Sequence, residues 1–219
     1  MPVRNSELSH LKDMILTMAG LVEDSIRDSV RSLVERDSDL AERVIEQDHR
    51  VNALDVKIDE ECIKLLALKQ PMGGDLRFIT MSMKITTDLE RIGDNSVNIA
   101  ERALELNKEP LLKPYIDIPK MGNISRGMVR ESIDAFVKSD KRLAMDVIMR
   151  DDRIDDLNAA IMEELAFIMT QDPTTVFRAM KITYVSKYLE RIADHATNIA
   201  EMVIYMIEVK IIRHTILTP

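Results

Sequence analysis

The sequence has little cysteine, tryptophan, glycine or proline. Cys62 is the only cysteine among 219 residues, and tryptophan is absent. A single cysteine excludes a disulfide framework within the chain and favours a reducing compartment. Six glycines and seven prolines leave little material for turns, and aromatic residues make up only 4%. Because Leu, Ile, Met, Ala, Glu, Lys and Arg are abundant instead, the composition favours long helices over strands.

Long hydrophobic runs and an excess of positive charge are also lacking. No apolar run approaches the roughly 20 residues that a membrane-spanning helix needs, and the first residues contain no apolar signal core. The formal net charge is -8. This disfavours nucleic-acid binding, because neutralising phosphates requires clustered Lys and Arg. We therefore expect a soluble, cytoplasmic protein that does not bind nucleic acid.

Apolar periodicity and turn residues predict six helical stretches. Asp75, Asp140 and Asp172 stand where they could cap the third, fifth and sixth of them. A segment with Pro110 and Pro114 is the best candidate for a linker between domains. The predicted helices cover about residues 6–36, 38–69, 75–107, 120–138, 139–169 and 173–212.

The second half of the sequence repeats the first. Leu89–Asp94 (Leu-Glu-Arg-Ile-Gly-Asp) returns with one change at 189–194, a shift of 100 residues. The pattern Val-Ile-x-x-Asp that ends at Asp48 returns ending at Asp151, a shift of 103 residues. The three-residue difference falls in a turn, where insertions belong. We predict an all-α fold of two tandem, pseudo-symmetric three-helix bundles with six long antiparallel helices, at residues 1–110 and 115–219.

Each half also carries a stripe of oxygen-bearing side chains beside the apolar face of its third helix. At about 100° per residue, one face of the third helix gathers two carboxylates and their neighbours. The adjacent helix contributes a parallel stripe through residues 48, 52, 55 and 59, repeated at 151, 155 and 158. The stripe of the third helix is Glu90, Asp94, Asn98 and Glu101, and that of the sixth is Glu190, Asp194, Asn198 and Glu201.

These stripes allow two interpretations. A solvated helix face accounts for any single acidic stripe. However, like charges at i,i+4 cost roughly 0.2–0.5 kcal/mol per pair, and both copies keep the pair. Neighbours that we expect to face solvent differ between the copies, as Asn95 and His195 do. A bridging cation would offset the repulsion, and oxygen ligands suit iron(III), manganese, magnesium or calcium, and zinc less well.

The doubled motifs resemble those of the PhoU family over nearly the whole chain. The resemblance is carried by Asp75-Leu76-Arg77 after a Pro-Gly turn, by Leu-Glu-Arg-Ile at 89–92 and 189–192, and by Asn-Ile-Ala-Glu at 98–101 and 198–201. It implies two three-helix bundles whose Glu/Asp-x-x-x-Asp motifs hold surface metal clusters in some members. The implied ligands are Glu90 with Asp94 and Glu190 with Asp194, supported by Asp48, Asp151, Asn98, Asn198, Glu101 and Glu201.

The same resemblance implies a regulator and not an enzyme. Such a protein would couple a phosphate ABC transporter to a sensor histidine kinase and repress the phosphate-starvation response. It would meet the membrane only through these partners, and a homo-oligomer, with a dimer favoured, is expected. The sequence shows no nucleophile–base constellation and no Gly-rich phosphate loop. A metal-free helical scaffold and a carboxylate-bridged metalloenzyme stay open as alternatives, which metal content and turnover assays would separate.

Overall fold

Helices account for nearly all of residues 4–208, the part of the chain that the computed structural model describes. Within that range a one-turn 3₁₀ helix, Pro173–Thr175, precedes the last α-helix. None of the described helices is long and apolar enough to cross a membrane. The α-helices are α1 Asn5–Val34, α2 Ser38–Lys69, α3 Gly73–Asn107, α4 Asp117–Lys138, α5 Lys141–Ile148, α6 Asp151–Gln171 and α7 Val176–Glu208.

The all-helical prediction is confirmed, and two of the three predicted caps form. The carboxylate of Asp140 accepts a hydrogen bond from the Leu143 amide at 3.1 Å, and that of Asp172 accepts one from the Thr174 amide at 2.9 Å. The predicted cap at Asp75 is wrong. α3 begins two residues before Asp75, at Gly73, with Met72 at the cap position, so Asp75 lies inside the first turn.

The predicted fifth helix is interrupted. It was expected to run through residues 139–169, but α5 ends at Ile148 and α6 begins at Asp151. At the break the Arg150 amide donates to the Val147 carbonyl at 3.1 Å, a tighter turn than an α-helix makes. The Arg150 guanidinium forms an ion pair with Glu131 of α4, so a tertiary contact holds the chain at this point. The predicted end of the sixth helix, near residue 212, lies outside the described residues.

The two halves pack against each other along α3 and α7. Arg77 Nε donates to the Met206 carbonyl at 3.2 Å, and Asp88 Oδ1 lies 2.8 Å from His195 Nδ1. Further along, Lys181 Nζ pairs with Glu105 at 3.3 Å. Since residue numbers rise on α3 as they fall on α7, the two helices are antiparallel over most of their length.

The core is continuous between the halves. The ring of Phe78 on α3 stacks on that of Phe136 on α4, with centroids 4.8 Å apart. The Lys12 ammonium of α1 lies 5.3 Å from the centre of the Phe78 ring and donates to the Val137 carbonyl at 3.4 Å. The repeated architecture is thus present, while the boundary between residues 110 and 115 stays a prediction.

The close crossing of α1 and α4 gives a first testable expectation. A Cβ added at Gly122 would meet Val30 Cγ2 at 2.9 Å and the Val30 Cβ at 3.5 Å. The 2.9 Å approach is closer than a Cβ tolerates, and the stiff β-branched valine side chain has little freedom to move away. We expect Gly122→Ala to destabilise the protein by about 1–2 kcal/mol, because overpacking outweighs the gain in helix propensity. Urea denaturation monitored by circular dichroism measures this.

Gly127 provides the matched control on the same helix. An added Cβ there meets nothing within 4 Å, so Gly127→Ala should raise stability by up to about 1 kcal/mol through helix propensity alone. Equal effects of the two substitutions would show that α1 and α4 do not approach as closely as described.

Candidate metal-binding carboxylates

In the first half, α2 and α3 bring four carboxylates together, namely Asp48, Asp55, Glu90 and Asp94. The small residue Gly93 permits the approach. A Cβ added at Gly93 would lie 3.3 Å from Asp48 Oδ1 and 3.4 Å from a methyl carbon of Val51. Asp48 therefore lies directly over the α3 backbone, next to Asp94.

The surroundings of this cluster disfavour the ionised forms of its carboxyl groups. Burial raises the pKa of Glu90, and the nearby charges of Asp94, Asp55 and Asp48 raise it further. Burial, and then the charge of Asp48, also raises the pKa of Asp94. Burial is again the main cause of the raised pKa of Asp55. Among the described residues, no Lys or Arg forms an ion pair with any of the four.

The second half repeats the arrangement between α6 and α7. Burial raises the pKa of Asp151 to about 6, with further contributions from Asp194 and Asp155. Burial, followed by Glu190 and Asp155, raises the pKa of Asp194. Burial and Glu190 likewise raise the pKa of Asp155. Negative charge is therefore concentrated in both halves.

Both clusters contain four carboxylates, although one amide and one carboxylate have exchanged places between the halves. In the first half an amide and a carboxylate occupy positions 52 and 55. At the equivalent positions of the second half the order is reversed, with Asp155 and Asn158. Asn52 donates to Asp48 at 2.8 Å, whereas Asn158 donates to Glu190 at 3.0 Å. Each amide thus orients one carboxylate of its own cluster.

One cation distinguishes the second cluster. Lys187 forms an ion pair with Glu190, and the equivalent residue of the first half is Thr87. Ser186 also donates to Asn158 Oδ1 at 2.6 Å, which fixes the amide that faces Glu190. The second cluster therefore has more hydrogen-bond and ion-pair partners than the first and is less negative.

Apart from Asp48, the predicted site residues lie in four places, and Asp194 and Asn198 border two of them. Glu90 and Glu190 face the neighbouring helices α2 and α6. Glu101 is exposed and pairs with Arg102 at 3.4 Å. Asp94, Asn98, Asp194 and Asn198 line a groove of about 520 Å³ between α3 and α7. An adjoining cavity of about 680 Å³ is lined in part by Asp151, Asp194, Asn198 and Glu201.

Sequence reasoning missed two members and misplaced two others. Asp55 and Asp155 were left out of the predicted ligand set, although they lie on the same stripes as Asp48 and Asp151. Asn95 and His195 were expected to face solvent, and this is wrong. Asn95 is buried, and His195 contacts the buried Asp88 across the α3–α7 interface.

The chemistry of the donor set fits a hard cation. All of its atoms are oxygens, which magnesium, calcium, manganese and iron(III) prefer, and a cation would relieve the repulsion that raises the carboxylate pKa values. Within residues 4–208, no three His, Cys, Asp or Glu side chains are gathered closely enough to hold an ion as they stand. Binding would therefore require the carboxylates to rotate toward one another.

Comparison with known proteins connects this arrangement to one family. The family model described as "PhoU domain" matches residues 15–103 and 118–203. The chain is 43% identical over 208 residues to the "phosphate-specific transport system accessory protein PhoU homolog" of Aquifex aeolicus, covering 95% of this chain and 94% of that one. The homolog in Pseudomonas aeruginosa is 40% identical over 215 residues, covering 98% of this chain and 89% of the homolog.

Two solved structures are similar along the same length. The crystal structure of PhoU from Pseudomonas aeruginosa superposes with a TM-score of 0.91 at 39% sequence identity, covering 94% of this chain and 99% of that one. The phosphate transport system regulatory protein PhoU from Streptococcus pneumoniae superposes with a TM-score of 0.88 at 29% identity, covering 94% of this chain and 98% of that one.

Proposed function

The chain belongs to the PhoU family of non-enzymatic accessory and regulatory proteins of phosphate transport, and we propose that it represses phosphate uptake and the phosphate-starvation response. In this proposal it works in the cytoplasm as an adaptor between a phosphate ABC transporter and a sensor histidine kinase. The observation that supports it most is the family match over both halves, at residues 15–103 and 118–203. The homodimer favoured above stays a prediction.

The two repeats present different outward surfaces, which suits two different partners. Near the start of α7, Phe177, Met180 and Tyr184 are 79%, 43% and 45% exposed. They lie at i, i+3 and i+7, so they share one face of the helix. The equivalent residues of α3 are Arg77, Thr80 and Lys84. An exposed apolar face on one half and a polar face on the other favour two distinct protein contacts.

The carboxylate clusters support the metal-binding part of the proposal. We propose that the Glu90/Asp94 pair and the Glu190/Asp194 pair bind hard cations, with iron, manganese, magnesium, calcium and zinc as the candidates. Asp48 and Asp151 would contribute from the neighbouring helices. The raised pKa values of Glu90 and Asp94, caused by burial and by neighbouring carboxylates, support this assignment.

Affinity capture from membranes of phosphate-replete cells tests the adaptor function. The tagged chain should recover both the transporter ATPase and the histidine kinase. Tyr184→Glu places a charge on the apolar face of α7 and should lose one of these partners while keeping the other. Lys84→Glu, at the equivalent position of α3, is the matched control and should not lose that same partner. Recovery of neither protein with the unmodified chain would contradict the proposal.

A further inference from the structure

The antiparallel register of α3 and α7 determines what meets at the centre of the molecule. Arg77 faces Met206 and Asp88 faces His195, so both contacts follow one register. On the same register Arg91, three residues after Asp88, lies opposite Ile192, three residues before His195. Arg191 is the neighbour of Ile192 in the chain. The repeats are related by a shift of 100 residues, so Arg91 and Arg191 are equivalent and lie beside the pseudo-two-fold axis.

Both arginines line the groove of about 520 Å³ between α3 and α7. Both are exposed, and among the described residues neither guanidinium has an ion pair or a hydrogen bond. The side-chain amides of Asn98 and Asn198 line the same groove. Two guanidinium groups and two side-chain amides from the two repeats therefore line one cavity, and together they carry about fourteen N–H donors.

We propose that this groove is an oxyanion site, which binds inorganic phosphate between Arg91 and Arg191. A guanidinium presents paired N–H donors that match two oxygens of a phosphate, and two such groups on opposite sides match its tetrahedral shape. Asn98 and Asn198 supply neutral donors. The site belongs to neither repeat alone, because each contributes one arginine.

The carboxylates of Asp94 and Asp194 line the same groove, and they would repel a bare phosphate. The inference consequently rests on the proposed metal sites. A cation on these carboxylates neutralises them and attracts the phosphate, so phosphate affinity should increase when the cation is bound. By reciprocity, phosphate should increase the affinity for the cation to the same extent.

Titration calorimetry with the purified full-length chain tests the site. Inorganic phosphate is titrated into protein that is either stripped by a chelator and dialysed or saturated with magnesium, and magnesium binding is measured in a separate titration. Phosphate should bind the magnesium-loaded protein at about one per chain and bind the stripped protein more weakly. The double variant Arg91→Gln with Arg191→Gln should lower phosphate affinity about tenfold or more, since it removes both charged donors.

The double variant Arg43→Gln with Arg142→Gln is the matched control. It removes the same charge from two exposed arginines outside the groove and should bind phosphate like the unmodified chain. Absence of phosphate binding to magnesium-loaded protein, or equal binding by the two double variants, overturns the proposal. If magnesium binds normally and phosphate does not, the oxyanion site alone is wrong. If magnesium does not bind either, the proposed metal sites fail as well.

Discussion

Neither half of the chain is expected to reach its native stability when it is produced alone. Residues 1–110 would expose the Phe78 ring that stacks on Phe136 of the other half. They would also expose the surface of Val30 that packs against Gly122. Loss of one buried aromatic partner costs on the order of 3–5 kcal/mol, and each half has further apolar surface at the α3–α7 contact. Denaturation midpoints of the separate halves should therefore fall well below that of the intact chain.

Mixing the halves provides the complementary measurement. The two halves, residues 1–110 and 115–219, should form a complex when they are combined in equal amounts. Its denaturation midpoint should approach that of the intact chain and should rise with protein concentration. An intact chain cut at a protease site introduced at the exposed linker residue Leu111 is the control, since it keeps every residue of both halves. If either half alone unfolded at the midpoint of the intact chain, the two segments would be independent domains.

The helices were predictable because their signals are local. Residues such as Asp140 and Asp172 cap a helix through their own side chains, within three residues of sequence. The break between α5 and α6 was not predictable, because nothing in the local composition disfavours a helix at Met149 and Arg150. It is associated with the ion pair from Arg150 to Glu131, a partner 19 residues away.

In the candidate site, too, some features follow from local sequence and others only from the packing of distant helices. Glu90 and Asp94 share a helix face by spacing alone, and their duplication as Glu190 and Asp194 was visible in the sequence. What a helical wheel omits is the second helix packed against it. The contact between Asp88 and His195 joins residues 107 apart, and the buried Asn95 lines the groove between the same two helices. The α3–α7 groove is therefore a property of the assembled halves and not of either repeat.

Removal of one carboxylate pair is expected to have the largest effect on metal content. The double variant Glu90→Gln with Asp94→Asn should bind about one cation fewer per chain, because it leaves the first cluster without its α3 ligands. Elemental analysis after dialysis, together with calorimetric titration, measures the stoichiometry. Helicity by circular dichroism should not change, since neither side chain is part of the apolar core.

The control for this pair is Glu42→Gln with Glu46→Gln. These residues are also four apart on a helix and both are exposed, so the substitution removes the same charge from a similar surface. It should leave metal stoichiometry unchanged. An equal loss of metal in both variants would indicate diffuse attraction by the acidic protein surface, and unchanged stoichiometry in the Glu90/Asp94 variant would contradict the assignment.

The stability of the same variant separates a metal site from a structural role of these carboxylates. Burial and neighbouring charges raise the pKa values of Glu90 and Asp94, so the folded state disfavours their ionised forms. In chelated protein at neutral pH, their neutralisation should therefore raise the melting temperature slightly. This gain should fade as the pH falls below the raised pKa values, because the native carboxyls are then protonated as well.

In metal-saturated protein the order of the two melting temperatures should reverse, since the unmodified chain gains stability from the bound cation and the variant does not. A variant that is less stable under both conditions would show instead that the pair supports the fold and not a cation.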